Sequence, residues 1–419
     1  MFQKKNKTEL TTRTKYNVMR KYIKHFGFLV ALSVGVLSCT SKKQTSIDSY
    51  LGFDIPKDSI DAFIDSKMKE YNIPGVSFVV VNNGEVVYHK TKGYANVEEK
   101  LPITNQTIFE VASISKPVFG FFVMTFVEDG LLDLDKPLYQ YMEYPDIAHD
   151  ERYKKITARM VLCHRSGFPN WREDNDDNRL NIQFEPGTDY LYSGEGYQYL
   201  TLVLKHILKT DDAGLEAEFQ KRIAAPLGLK HTVYVQNEYT RQHKAEPYDE
   251  DGKWIDWKNE YWFKKEDRKF YAPSSMHSEP LEFSKWMIAV MNKDVLSQES
   301  YSELLKPHSK VPYDDFDVSY SLGFTIPHLP FTNLYLHSGN NEGFTGWFTL
   351  DTKKDWGYVL FTNSEYGEQL GQDLFFYMLS DPGRTKLYIS VGLILIFLIL
   401  TIIFFTRWSF RAIRKQKNR

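Results

Sequence analysis

The sequence predicts an α+β domain in which one antiparallel sheet is assembled from both ends of the chain. Helices cover its faces, and a mostly helical lobe fills the middle. Three observations carry this prediction. A strand–turn–strand pattern lies near residue 80, an apolar helical run follows Ser113, and strand-like runs recur between residues 320 and 363 before a final helix. A transmembrane helix is expected to close the chain.

The elements follow in order. Residues 40–54 are polar and rich in Ser, Thr and Lys, and read as a tether. Asp58–Tyr71 places Ile60, Phe63, Ile64 and Met68 on one helical stripe. Val76–Val81 and Glu85–His89 flank Asn82-Asn83-Gly84, a hairpin turn signal. The helix expected over Ser113–Glu128 ends near Gly130 and carries Pro117 in its first turn, where a missing N–H costs little. Tyr320–Ile326, Trp347–Asp351 and Trp356–Asn363 read as successive strands, and Glu368–Leu379 as the last helix of the domain. Trp254–Phe270 interleaves Trp254, Trp257, Tyr261, Trp262, Phe263 and Phe270 with charges. This stretch reads either as a rim or lid over a cleft or as an insertion packed on the body.

The two ends carry targeting patterns. The apolar run Phe26–Ser38 follows Arg20, Lys21 and Lys24, as in a secretory leader. Val36-Leu37-Ser38-Cys39 is similar to a bacterial lipobox, with Cys39 as the lipidated residue, although an uncleaved signal anchor has the same pattern. The leader is long, and Met19 would give it a more ordinary start. Leu387–Thr406 is uncharged and mostly apolar, and the tail after it is basic with no acidic residue. That asymmetry predicts a membrane-spanning helix with residues 407–419 in the cytoplasm. The domain of residues 55–380 would then lie on the outer face of a bacterial cytoplasmic membrane, in contact with the periplasm.

The formal net charge of −2 gives no reason to expect a nucleic-acid partner. With Cys39 at the leader, Cys163 is the one internal cysteine, so no intrachain disulfide framework arises. It reads as a small buried hydrophobe. The acidic run Glu173-Asp174-Asn175-Asp176-Asp177 lacks the alternating ligands and central glycine of a calcium loop, and reads as a solvated loop. No glycine-rich phosphate loop is present, and neither a cofactor nor a metal is expected.

The chemistry centres on Ser113-Ile114-Ser115-Lys116. A serine and a lysine three residues apart lie on one helical face. A desolvated lysine can give up its proton near neutral pH and activate the hydroxyl. Such tetrads also arise by chance, so the later segments decide. Leu162-Cys163-His164-Arg165-Ser166-Gly167-Phe168-Pro169, Pro186-Gly187-Thr188 leading into Tyr192-Ser193-Gly194, and His337-Ser338-Gly339 follow in order. Over residues 55–380 this arrangement resembles the serine beta-lactamase-related hydrolases. The branch is that of class C beta-lactamases, penicillin-binding D,D-peptidases and their esterase relatives.

The resemblance implies an acyl-enzyme on Ser113, with Lys116 taking its proton and Tyr192 completing the proton path. It implies an oxyanion hole from the backbone N–H groups of Ser113 and Asn340. His337, Ser338, Gly339 and Gly194 would contact substrate. It also assigns His164, which beside Cys163 invites a metal or Cys–His reading, to a structural loop. Two departures weaken the case for a good beta-lactamase or D,D-carboxypeptidase. Gly194 stands for the asparagine of Tyr-x-Asn, and His337 for the cationic lysine of Lys-Thr-Gly. The reaction class expected is ester or amide hydrolysis on a small-molecule, peptide or cell-envelope substrate. A D-amino-acid peptidase or beta-lactamase-like enzyme is the alternative, and a non-catalytic or slowly acylated sensor of the same fold is another. Physiological substrate and oligomeric state are not legible.

Overall fold

A computed structural model describes residues 45–175, 178–256, 269–312, 317–329, 332–379 and 391–403. Its centre is an antiparallel sheet of ten strands. In chain order these are β1 (Gly75–Asn82), β2 (Glu85–Asn96), β3 (Leu101–Pro102), β4 (Ser309–Val311), β5 (Val318–Tyr320), β6 (Thr325–Leu329), β7 (Thr332–Asn333), β8 (Tyr335–Asn340), β9 (Thr345–Asp351) and β10 (Trp356–Thr362). Across the sheet the order is β3-β2-β1-β10-β9-β8-β6-β5-β4, with β7 paired to β6. N-terminal and C-terminal strands therefore meet at the β1–β10 junction, where Val79 faces Val359. This is the chain-end closure expected from the order of elements.

The β1–β2 hairpin turns at Asn83 and Gly84, both left-handed with φ of 53° and 73°. Two positive φ values in a two-residue loop match the twist of the strands, and Asn-Gly tolerates them at little cost. Every residue of β1 is buried, because helices cover both faces of the sheet. Phe78 and Val80 join one core together with Ile60 and Ile64 of α1 (Lys57–Glu70). Val79 and Val81 join the other, with the apolar residues of α2 (Ser115–Glu128). The expected tether is not uniformly solvated, since Ile47 and Tyr50 are buried.

Two boundaries differ from expectation. Ser113 lies in a 3-10 turn, Ala112–Ile114, and the α-helix starts only at Ser115. The expected single strand Tyr320–Ile326 is a hairpin: β5 ends at Tyr320, β6 begins at Thr325, and Ser321 N–H bonds the Phe324 carbonyl between them. Gly323 makes this turn with φ of 113°, and a Cβ there would come within 2.9 Å of Pro117 Cα. The turn therefore presses on the start of α2. The last domain helix is α8 (Gly367–Leu379). Between the sheet halves lie α3 (Ala158–Leu162), α4 (Gly194–Leu208), α5 (Asp212–Phe219), α6 (Pro280–Asn292) and α7 (Gln298–Leu304).

The C-terminal expectation is corrected. Of the segment Leu387–Thr406, the described part is a helix over 391–403. Among the described residues no helix is long and apolar enough to cross a membrane. That finding overturns the transmembrane helix and the membrane-anchored reading. It also overturns the membrane partner and the periplasm-facing location that depended on it. The leader, the lipobox with Cys39 and the basic tail lie outside the described residues, as do Trp257, Tyr261, Trp262 and Phe263 of the aromatic segment.

Candidate active site

Ser113 sits where the sheet edge meets the helical lobe. Ala112, just before it, is left-handed with φ of 50°, a conformation that costs a non-glycine residue energy and turns the chain sharply. The turn packs on β8. A Cβ at Gly339 would come within 2.5 Å of the Val111 carbonyl and 2.8 Å of the Ser113 nitrogen. Glycine is required at this close approach.

Lys116 is fully buried, one turn below the serine. Its Nζ lies 3.0 Å from Ser113 Oγ and donates to the Pro273 carbonyl at 2.9 Å. Among the described residues no carboxylate balances it, and burial drives its pKa well below the ordinary lysine value. The Tyr192 ring lies 4.6 Å from Lys116 Nζ, and its hydroxyl lies beside the Ser113 side chain. Burial pushes the Tyr192 phenol upward, so at neutral pH it holds its proton.

The loop before α4 aims Tyr192. His164 is buried and left-handed, and its Nδ1 accepts the Ser193 N–H at 3.0 Å while its carbonyl accepts Leu191 N–H. Ser193 Oγ donates to the Pro169 carbonyl and caps α4 by accepting Gly196 N–H. This histidine therefore ties one loop to the other. Burial, with Lys116 nearby, keeps it neutral well below the ordinary imidazole range. Cys163 beside it is buried, and burial pushes its thiol up to about 12. A thiol so protonated is no nucleophile.

His337 is nearly inaccessible. Burial lowers its pKa to about 3, and Lys116 nearby adds to the shift. The neutral tautomer protonated at Nδ1 satisfies both contacts, donating to the Ser338 carbonyl and accepting the Tyr320 hydroxyl at Nε2 over 2.9 Å. β6 pairs with β8 at Thr325 and Leu336, and the chain then leaves into the 321–324 turn. Residues 337–340 are thus a strand edge facing a cleft of about 380 Å³. Ser113, Tyr192, His337, Ser338, Gly339 and Asn340 all line it, together with Tyr190, Trp347, Glu368 and Gln372. Gly194, by contrast, lies at the start of α4 with Trp171 over it, outside this lining. Among the described residues no group of His, Cys, Asp or Glu is arranged to hold a metal.

Sequence reasoning missed the support beneath the nucleophile. Glu110 is buried, ion-paired with Lys244, near His277, and accepts Asn341 Nδ2 at 2.7 Å. Burial opposes its ionisation, but the charge of Lys244 and the hydrogen bonds prevail and hold the carboxyl at about 2. Asn341 also donates to the Ser274 carbonyl at 3.2 Å. One network therefore joins the approach to Ser113, the residue after Asn340, and the loop whose Pro273 carbonyl holds Lys116. These partners are far apart in the chain, and no local pattern announces them.

Comparison with known proteins identifies the family and the fold. Residues 60–381 match the beta-lactamase family. Protein flp of Staphylococcus aureus (strain MW2) is 26% identical over 337 residues, covering 75% of this chain and 65% of that protein. The chain thus spans just under two thirds of the length of that curated relative. A solved octameric penicillin-binding protein homologue from Pyrococcus abyssi superposes with a TM-score of 0.62 at 24% identity, covering 74% of each chain. The D-amino acid amidase from Ochrobactrum anthropi SV3, complexed with L-phenylalanine amide, superposes with a TM-score of 0.60 at 23% identity, covering 74% of this chain and 91% of that one. At these identities the solved structures establish the fold. The chain belongs to the beta-lactamase family, and that match supports the serine-hydrolase mechanism of its superfamily.

Proposed function

We propose that the chain hydrolyses an ester or amide bond through an acyl-enzyme on Ser113. The observation that carries this reading is the fully buried Lys116 with its Nζ 3.0 Å from Ser113 Oγ. A neutral lysine at that distance is a base in hydrogen-bond reach of the proton it must take.

Ser113 Oγ attacks the substrate carbonyl carbon, and its proton passes to Lys116 Nζ. The carbonyl oxygen becomes an oxyanion facing the N–H groups of Ser113 and Asn340, a preorganised pair of donors of the kind that lowers such barriers by several kcal/mol, about 3 for one donor. Tyr192, which keeps its proton, relays one to the leaving oxygen or nitrogen as the C–O or C–N bond breaks. Water then attacks the acyl carbon, giving one proton to Lys116 by way of Tyr192; the C–Oγ bond breaks, Lys116 returns that proton to Ser113 Oγ, and the acyl group leaves as a carboxylic acid.

Two features turn the site away from penicillins and D-Ala-D-Ala. His337 is neutral where a fixed cation would grip a carboxylate. Gly194 offers no side-chain amide, and Trp171 covers its position. Esters, or amides lacking that carboxylate, fit better.

The test is intact-mass spectrometry of the full chain and its Ser113→Ala variant after exposure to a fluorophosphonate, an activated short-chain ester and a penicillin. An adduct of one acyl or phosphonyl group that needs Ser113 is expected from the first two. A folded protein that gains no mass from any of them would make the chain a binding module of the same fold.

A further inference from the structure

One end of the cleft takes no part in acyl transfer. There Ser338 and Trp347 are direct cross-strand neighbours on β8 and β9, and so share one face of the sheet. The helix α8 packs on that face. A Cβ at Gly371 would already come within 2.8 Å of Trp347 Cβ, so helix and indole are in close contact. Glu368 and Gln372, one turn apart on α8, reach the same cleft wall as Trp347. Glu368 Oε1 accepts a long hydrogen bond from Ser338 Oγ at 3.4 Å.

The charge balance of this wall is one-sided. Among the described residues lining the cleft, Glu368 carries the one carboxylate and no lysine or arginine is present. Lys116 lies beneath the floor, fully buried. A carboxylate on the substrate would approach Ser338 and meet Glu368, a like charge with no cation to offset it. An ammonium group would meet a carboxylate, an indole and an amide oxygen, three groups that each attract a cation.

We propose that Glu368, Trp347 and Gln372 form a subsite for a protonated amine, so that the substrates of this chain carry an ammonium group near the scissile bond. This rests on the serine-hydrolase reading and names the substrate class within it. Glu368 is then the residue that selects cations and rejects carboxylates, the reverse of what a lysine in place of His337 would do.

Two measurements test it. In the first, kcat/KM is compared for matched esters that differ only in an ammonium, a neutral amide or a carboxylate, placed on either side of the scissile bond. About a tenfold preference for the cation over the neutral ester is expected from one half-buried charge pair and a cation–π contact. Glu368→Gln should bring that ratio close to one, and Glu368→Lys should invert it. The ratio is the readout because it cancels any general loss of activity. In the second, benzylammonium, benzyl alcohol and benzoate are titrated calorimetrically into Ser113→Ala, with and without Glu368→Gln. Benzylammonium alone should bind, and Glu368→Gln should abolish the binding. Equal turnover of the three esters, or a preference that survives Glu368→Gln, overturns the subsite while leaving the hydrolase standing. If no ester turns over and Ser113 takes no adduct, the hydrolase reading fails. The calorimetry then judges the subsite alone, and absence of benzylammonium binding overturns it as well.

Discussion

The six-membered ring of Trp171 lies 2.4 Å from where a Cβ on Gly194 would stand, so bare backbone at 194 and indole at 171 are fitted to each other. The indole in turn stacks on Tyr271, with ring centroids 5.8 Å apart and planes 21° from parallel. The loss of the asparagine at 194 is therefore not a vacancy in the site. An aromatic pair fills the space that a side chain there would need.

Gly194→Ala should accordingly destabilise the fold by about 1–3 kcal/mol, the usual cost of overpacking. Combining it with Trp171→Ala should cost less than the sum of the two, because the clash disappears with the indole. Urea denaturation of both single variants and the double variant measures this coupling. Strict additivity would mean that Trp171 yields freely.

Lys116 should be required for acylation yet harmful to stability. Its pKa in the folded protein is depressed by burial, while in the unfolded chain it lies near 10.4. Between those values the unfolded state binds more protons, so the wild type loses stability as pH falls from about 10. Lys116→Met removes this loss. Its melting temperature should exceed that of the wild type at pH 7, with the gap narrowing toward pH 10, and Ser113 should stop acylating. A pH-independent gap would argue for a lysine that stays charged.

His337 should show no titration in the range where histidines ordinarily titrate, because burial holds its pKa at about 3. The folded state then binds fewer protons than the unfolded one between about pH 6.5 and 3. The stability His337 contributes is complete above 6.5 and is lost as pH falls toward 3, at up to about 1.4 kcal/mol per pH unit. Imidazole proton NMR should find it neutral at pH 5. A resonance that shifts near pH 6.5 would contradict the burial argument.

Glu110→Ala should cost about 3–5 kcal/mol, because it removes one partner of the buried Glu110–Lys244 ion pair. It should also slow Ser113 acylation, since Asn341 and the Ser274 carbonyl lose their anchor. Adding Lys244→Met should recover much of the stability. Recovery of stability without recovery of rate would separate positioning from folding.

How much the sequence disclosed follows the range of the interactions. The hairpin at Asn83-Gly84 was legible because its turn chemistry is local. Ser113 and Lys116 were legible because three residues of separation fix their proximity in either helix type. The exact start of α2 was not, because the left-handed Ala112 depends on β8 packing against it. Tyr320–Ile326 reads as a strand until Gly323 is seen pressed against Pro117, a tertiary contact. Trp171 over Gly194 and Lys244 on Glu110 escaped notice for the same reason, since neither partner carries a local pattern. The C-terminal apolar run was read from composition alone, and among the described residues no helix is long and apolar enough to cross a membrane.

The strand edge from His337 to Asn340 has a further consequence for the behaviour of the protein in a crowded solution. Bare edge backbone on an open surface invites another protein's sheet to add itself, and is a common origin of self-association. Here the edge lies within a cleft of about 380 Å³, walled by α8 on one side and by Tyr190 on the other. A folded sheet is too thick to enter, whereas a small molecule or a thin extended chain can. The recess thus acts as a filter by girth: the same backbone groups stay open to a slender guest and closed to a neighbouring copy.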